Sequence, residues 1–198
     1  MSSELSEMDL ITYEVRQREF MKYDQAYKEP RYAMGLSRKR DAQADLLSLP
    51  CRGAYLDVGC GRGEMLAYAL TIGFSRVNGF EVVVDLIDAD TKVSYSECHN
   101  LKCGDKEFDV SSMFDVLEHL VPGDDQLACK ELARVTKSHI LLTANNKDSK
   151  LADSTQLHIN KRPYEEWDSL FREWFAGAKK VVWLKSHKYV SEGWRIDL

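Results

Sequence analysis

"YLDVGCGRGEML", residues Tyr55–Leu66, is the stretch whose reading decides this fold. An apolar run carrying one acid, Asp57, meets glycines at alternate positions, Gly59, Gly61 and Gly63, and then a helix-forming segment. Each glycine costs regular structure roughly 0.5–1 kcal/mol relative to alanine. Three together predict a strand–turn–helix whose backbone is approached closely by something else. The spacing argues against one occupant. A dinucleotide site takes G-x-G-x-x-G, with the pyrophosphate over the helix N-terminus. After Gly59 and Gly61 the third glycine would fall at 64, where the chain has Glu64, a carboxylate that repels phosphate.

Elements of both kinds extend outward from this turn. Upstream, Ile11 to Leu49 reads as helix with aromatics at Tyr13, Phe20, Tyr23 and Tyr27, interrupted near Arg31–Gly35. Ala54–Val58 is a strand, and the helix from about Gly63 ends with Gly73 at its C′ position. Strands are expected at Arg76–Phe80, Val93–Ser96, Phe108–Phe114 and His139–Thr143, with a short helix in "VVVDLIDAD" (Val82–Asp90). "PGDDQLACKELARVTK" opens a helix with Asp124 as its cap, and Pro163 opens another carrying Trp167, Leu170, Phe171 and Trp174. Lys179–Leu184 and Gly193–Leu198 read as a final antiparallel pair. Strands alternating with helices imply an α/β fold, a mostly parallel sheet covered on both faces. Its ligands sit beyond the carboxyl ends of the strands, where the glycines lie.

Composition bounds the rest. A chain of 198 residues with 44% hydrophobic content holds one ordinary domain, with 1–49 as a helical extension or lid and 50–198 as the domain proper. A net charge of −5 argues against a broad basic nucleic-acid face. The five cysteines, Cys51, Cys60, Cys98, Cys103 and Cys129, have neither disulfide-framework nor zinc spacing. The acidic N-terminus lacks a signal-like apolar run and no window reaches a membrane span, so a cytoplasmic protein is expected.

The pattern Asp57-x-Gly59-x-Gly61-x-Gly63 resembles motif I of the class I S-adenosylmethionine-dependent methyltransferases. "NGFE" puts Glu81 at the tip of the second strand, 18 positions after Gly63. "FDVSSMFDVLEHL" (Phe108–Leu120) and "LHINKRPYEEWDSLFREWF" (Leu157–Phe175) resemble the fourth-strand block and last helix of the group that includes the ubiquinone-pathway O-methyltransferases. The resemblance implies a Rossmann-like, doubly wound seven-stranded sheet with an antiparallel last strand. It implies S-adenosylmethionine as cofactor, its amino-acid end near Asp57 and over Gly59, Cys60, Gly61 and Gly63, and its ribose hydroxyls on Glu81. Cys98, His99, Asn100 and Leu101 are then candidates for flanking the adenine, with His99 and Asn100 preferred, Phe114 is a further candidate cofactor contact, and the Arg31–Arg38 loop is a candidate lid. Carboxylates suit a cofactor that carries a sulfonium and an ammonium, where a phosphate cradle would not.

The acceptor end is more open. In "DVLEH", Asp115, Glu118 and His119 stand at i, i+3 and i+4, on one face if helical, and His158 follows the fifth strand. Three readings stand side by side. His119 or His158 acts as general base. Alternatively Asp115, Glu118, His119 and His158 hold Mg²⁺ or a similar ion, a set similar to that of the small-RNA 3′-end 2′-O-methyltransferases. In the third reading the glutamate caps backbone and the histidines pack. A small-molecule oxygen or nitrogen is the expected acceptor, with RNA as an alternative. A non-catalytic cofactor-binding module is the rival from outside enzymology.

Overall fold

Strand β1 (Ala54–Val58) is buried at every position, as a strand with both faces covered must be. The computed structural model describes residues 7–30, 40–184 and 191–198. Around β1 it assembles a seven-stranded sheet in the order β3-β2-β1-β4-β5-β7-β6. The further strands are β2 (Arg76–Glu81), β3 (Val93–Tyr95), β4 (Phe108–Met113), β5 (Thr136–Ala144), β6 (Lys180–Trp183) and β7 (Glu192–Asp197). β1 pairs in parallel with both β2 and β4, whereas β7 runs antiparallel to β5 and β6. Connections leave β1 and β4 in opposite directions across the sheet, and the crevice between them is the topological switch point.

Side chains alternate between the two faces. Leu56 and Val58 of β1 and Ile140 and Leu142 of β5 join one core with Trp167, Phe171 and Leu132. Tyr55 and Leu141 point the other way, into a core with Leu46, Met65 and Leu66. The first face is covered by α4 (Asp124–Val135) and α5 (Tyr164–Trp174), the second by α2 (Arg40–Ser48) and α3 (Glu64–Thr71). A long helix, α1 (Glu7–Ala26), precedes them all.

Helix ends follow sequence chemistry, with informative departures. Gly73 closes α3 at φ 96° in a Schellman turn, with Phe74 N–H donating to Ala69 O (3.0 Å) and Gly73 N–H to Leu70 O (3.1 Å). Asp124 is not the cap of α4. Gly123 occupies that place, and Asp124 lies in the first turn with its carboxylate held by Arg16. The expected helix in Val82–Asp90 is reduced to one 3₁₀ turn, Val84–Leu86, because the Glu81 carboxylate takes the amides of Val82 and Val83 and bends the chain first. Strand β5 begins earlier than expected, since α4 runs straight into it at Thr136. The expected interruption at Arg31–Gly35 lies outside the described residues, as does the whole Arg31–Arg38 loop.

Trp194 of β7 anchors the antiparallel edge. It is fully buried, stacks on Trp183 (5.7 Å between centroids), meets Phe171 edge-on (5.0 Å) and donates to Asp168 Oδ1 (3.1 Å). Trp194→Ala is expected to cost about 3–5 kcal/mol. At about 2–4 °C per kcal/mol for a chain of this size, calorimetry should show a melting temperature lower by about 6–20 °C.

Candidate active site

The three glycines of the β1–α3 turn all adopt left-handed backbone, with φ of 70°, 56° and 78° at Gly59, Gly61 and Gly63. L-residues with side chains avoid this region, so the turn itself needs glycine. Space matters as well. A Cβ on Gly59 would stand 2.4 Å from Val116 Cγ2, and one on Gly61 would stand 2.7 Å from Tyr27 Oη. The turn is held to β2 by Gly59 N–H on Phe80 O (2.8 Å) and Gly61 N–H on Glu81 Oε2 (2.8 Å). Glu81, 6% exposed, also accepts Val82 N–H (2.8 Å) and Val83 N–H (3.2 Å) on Oε1.

Above this turn opens a cavity of about 810 Å³. Gly59, Gly61, Glu81, His99 and Phe114 line it at one side, and Asp115, Glu118, His119 and His158 at the other. Four expected contacts stay out of its wall. Asp57 is buried at 2% exposure with Ser112 Oγ donating to its Oδ1 (2.6 Å). The Cys60 thiol lies against the bare α-carbon of Gly79, where a Cβ would come within 2.5 Å of Sγ. Gly63 begins α3, and Asn100 is exposed outside. Ser96 and Cys98 line the cavity beside His99, whose Nε2 lies 3.2 Å from Glu97 Oε2.

At the far side, Asp115, Glu118 and His119 do not share a helix face. Asp115 is left-handed (φ 55°), and only Leu117–His119 form a turn, of 3₁₀ type. Asp115 is exposed in the cavity, and its Oδ1 accepts the hydroxyls of Thr143 (2.9 Å) and Ser191. The residues that converge are Glu118, His119 and His158, each offering one ligand atom within 4.8 Å of the others. Both oxygens of Glu118 are buried without a hydrogen-bond partner among the described residues. Burial, reinforced by nearby Asp115, pushes its carboxyl well above the ordinary range. His119 Nδ1 lies 3.2 Å from Leu157 O and His158 Nδ1 2.6 Å from Lys147 O. Carbonyl partners make each Nδ1 the protonated nitrogen, and Nε2 the one carrying a lone pair. Burial, with His158 beside it, lowers His119 to about 4, and burial lowers His158 as well. Two neutral imidazoles and an unpartnered buried carboxylate make a donor set that fits a divalent cation. The backbone amides of Glu118 and Asn145 lie near the carboxyl and hold its rise in check, but neither meets hydrogen-bond geometry.

A buried network fixes these groups. Asn160 N–H donates to Glu118 O (2.9 Å), and its side-chain amide donates to Leu117 O (3.2 Å) and Asp125 Oδ2 (2.9 Å). Arg162 also binds Asp125 Oδ2 (2.7 Å) and lies over Trp167. Helix α1 roofs the cavity with Arg16, Phe20 and Tyr23, and Tyr27 follows just past its end. Arg16 grips Asp124 with two bonds, Nε donating to Oδ2 at 2.6 Å. None of these roof and network residues stands out as a site residue in the sequence. Tyr23 and Tyr27 show only helical spacing there, and Asn160 and Asp125 are only polar residues in helix-flanking strings.

Residues 56–142 match the family model of a methyltransferase domain. The chain carries a methyltransferase domain. Solved structures share its fold at low identity. One is the 1,6-didemethyltoxoflavin-N1-methyltransferase of Burkholderia thailandensis, solved with 1,6-didemethyltoxoflavin and S-adenosylhomocysteine, at 16% identity and a TM-score of 0.67 over 100% of this chain and 92% of that one. The methyltransferase domain of bacterial CtHen1-CN has 18% identity and a TM-score of 0.63, over 83% and 100%. A methyltransferase from Archaeoglobus fulgidus has 15% identity and a TM-score of 0.62, over 90% and 99%. No curated protein matches the enzyme. The family model is that of the domain at large and does not single out the ubiquinone-pathway subgroup. Among the described residues, no helix is long and apolar enough to cross a membrane.

The lowered histidines set a pH dependence. Between pH 6.5, the ordinary value, and about 4, the unfolded chain binds a proton at His119 that the folded chain refuses. The stability is therefore present above pH 6.5 and lost as pH falls through that window. With chelator present, the melting temperature of His119→Asn should fall less between pH 7 and pH 4.5 than that of the wild type. Parallel curves would mean His119 titrates normally.

Proposed function

We propose that the enzyme methylates an oxygen of a small polar molecule, with a divalent cation held by Glu118, His119 and His158. The observation that carries this reading is the buried, unpartnered Glu118 carboxylate beside two imidazoles, with ligand atoms within 4.8 Å of one another. A cation there would supply a Lewis acid that gathers the acceptor oxygen and lowers its pKa. Two nitrogens in three ligands suit a first-row transition ion better than Mg²⁺, which takes oxygen, and Mn²⁺, which accepts carboxylate as well, serves as the probe. Asp115 stands apart from this set and faces the acceptor as a carboxylate steadied by two hydroxyls.

Gly59 and Gly61 would take the cofactor's amino-acid end, Glu81 its ribose hydroxyls, and His99 and Phe114 would flank its adenine. Asp57 acts from beneath, by holding the end of β1 through Ser112. Catalysis is mostly alignment, which can supply roughly 7–11 kcal/mol when the reacting atoms are held in line. A roofed cavity and a net charge of −5 support a small molecule over an RNA end. The Burkholderia thailandensis neighbour likewise binds a small molecule, 1,6-didemethyltoxoflavin.

Two measurements test this. Glu81→Ala should weaken S-adenosylhomocysteine binding about 10- to 100-fold by calorimetry, the loss expected from charge-assisted hydrogen bonds worth roughly 1.5–3 kcal/mol. Unchanged affinity would remove Glu81 from the cofactor site. With labelled S-adenosylmethionine and a panel of hydroxylated small molecules, chelator should abolish transfer, Mn²⁺ should restore it, and Glu118→Gln should stay inactive at any Mn²⁺ concentration. Full turnover in chelator would sink the metal reading.

A further inference from the structure

The two tyrosines that the roof helix places one turn apart touch opposite ends of the cavity. Tyr27 Oη stands 2.7 Å from where a Cβ of Gly61 would be, so its hydroxyl covers that glycine at the edge of the cavity. The Tyr27 carbonyl accepts Arg62 Nη2 (3.4 Å), which ties the end of α1 to the turn that carries the glycines. Tyr23 faces the other way. Its ring meets the His119 ring edge-on at 5.1 Å, and its hydroxyl donates to Leu157 O (3.4 Å). That same carbonyl oxygen lies 3.2 Å from His119 Nδ1. The segment carrying it is fastened to the roof by Ala26, buried against Leu151 and Leu157, and by Ala152 N–H on Glu29 Oε1 (2.9 Å). His158 follows Leu157 directly, with its own ring 4.6 Å from that of His119.

We infer that Tyr23 is a positioning residue for His119, and that α1 thereby couples cofactor occupancy at Gly61 to cation affinity at Glu118, His119 and His158. The inference rests on the metal reading given above. The physical argument is linkage. A cofactor that engages Tyr27 favours the seated position of α1. The same position holds Tyr23 on the Leu157 carbonyl and against the imidazole, which fixes the ring so that Nε2 would be free to hold a cation. Whatever the cofactor adds to cation affinity, the cation adds to cofactor affinity, because coupling free energies are reciprocal.

The test uses the full chain and two probes, Mn²⁺ followed by electron paramagnetic resonance and S-adenosylhomocysteine followed by calorimetry. The neutral thioether of the latter keeps sulfonium–cation repulsion out of the measurement. In the wild type, saturating S-adenosylhomocysteine should tighten Mn²⁺ binding at least about 5-fold, the low end of ordinary coupling. Tyr23→Ala should still bind each probe but reduce the coupling factor to about one, and Tyr23→Phe should at least halve it. A purely structural role would lower the melting temperature and leave the ratio of affinities unchanged. If Tyr23→Ala fails to fold, Tyr23→Phe, which keeps the ring, decides the matter. Mn²⁺ bound through Glu118 with the same affinity in the presence and absence of S-adenosylhomocysteine would overturn the inference and leave the metal reading standing. So would wild-type coupling in both Tyr23 variants. No Mn²⁺ binding, or binding indifferent to Glu118→Gln, would overturn the metal reading and this inference with it.

Discussion

A single carboxylate, that of Glu81, joins the parts of the molecule on which everything else depends. It is almost fully buried at the end of β2 and accepts three backbone amides, from Gly61, Val82 and Val83. Amides that donate to an ionised acceptor make stronger bonds than neutral pairs. They also give a buried charge the partners it needs. Through them the glycine turn after β1 and the chain leaving β2 are set against one another, which shapes the floor of the cavity. The left-handed backbone of Gly59, Gly61 and Gly63 is the counterpart of that clamp, because residues with a Cβ rarely follow this path and here a Cβ on Gly59 or Gly61 would also collide with a neighbour.

The opposite wall is built on a different plan. There the Glu118 carboxyl is left without a hydrogen-bond partner among the described residues, while the groups behind it are satisfied thoroughly. Asp125, 1% exposed, takes Asn160 and Arg162, and Asn160 in turn holds the backbone of Leu117 and Glu118. The Glu118 carboxylate projects from this rigid base with no hydrogen-bond partner among the described residues. A half-satisfied polar cluster in a core is costly. A cluster whose backing is fully bonded and whose tip is not is what a binding site requires.

Much of this was legible in the chain itself. The two-faced sheet follows from strands buried on both sides, and the position of the site from glycines at the end of the first strand. Gly73 ends α3 as its sequence implies, since a left-handed C′ position is a local requirement. The departures are local too, and each has a long-range cause. Asp124 loses its expected cap role to Gly123 and is engaged instead by Arg16, 108 residues away in sequence. The helix after β2 shrinks to one turn because Glu81 claims its first amides. The i, i+3, i+4 spacing of Asp115, Glu118 and His119 implies a shared face only on a helix, and the backbone there is not one.

The sequence by itself determined the glycine turn, the alternation of strand and helix, and the pool of acids and histidines available for chemistry. These depend on backbone preference and hydrophobic period, which act within a few residues. Only the tertiary structure decided which of those groups meet. It drew Glu118 and His119 to His158 and set Asp115 apart. It also brought Tyr23 and Tyr27 over the cavity from a helix whose spacing said nothing of what it would cover. Convergence of this kind is fixed by contacts between segments distant along the chain, and no local pattern encodes the partner at the other end.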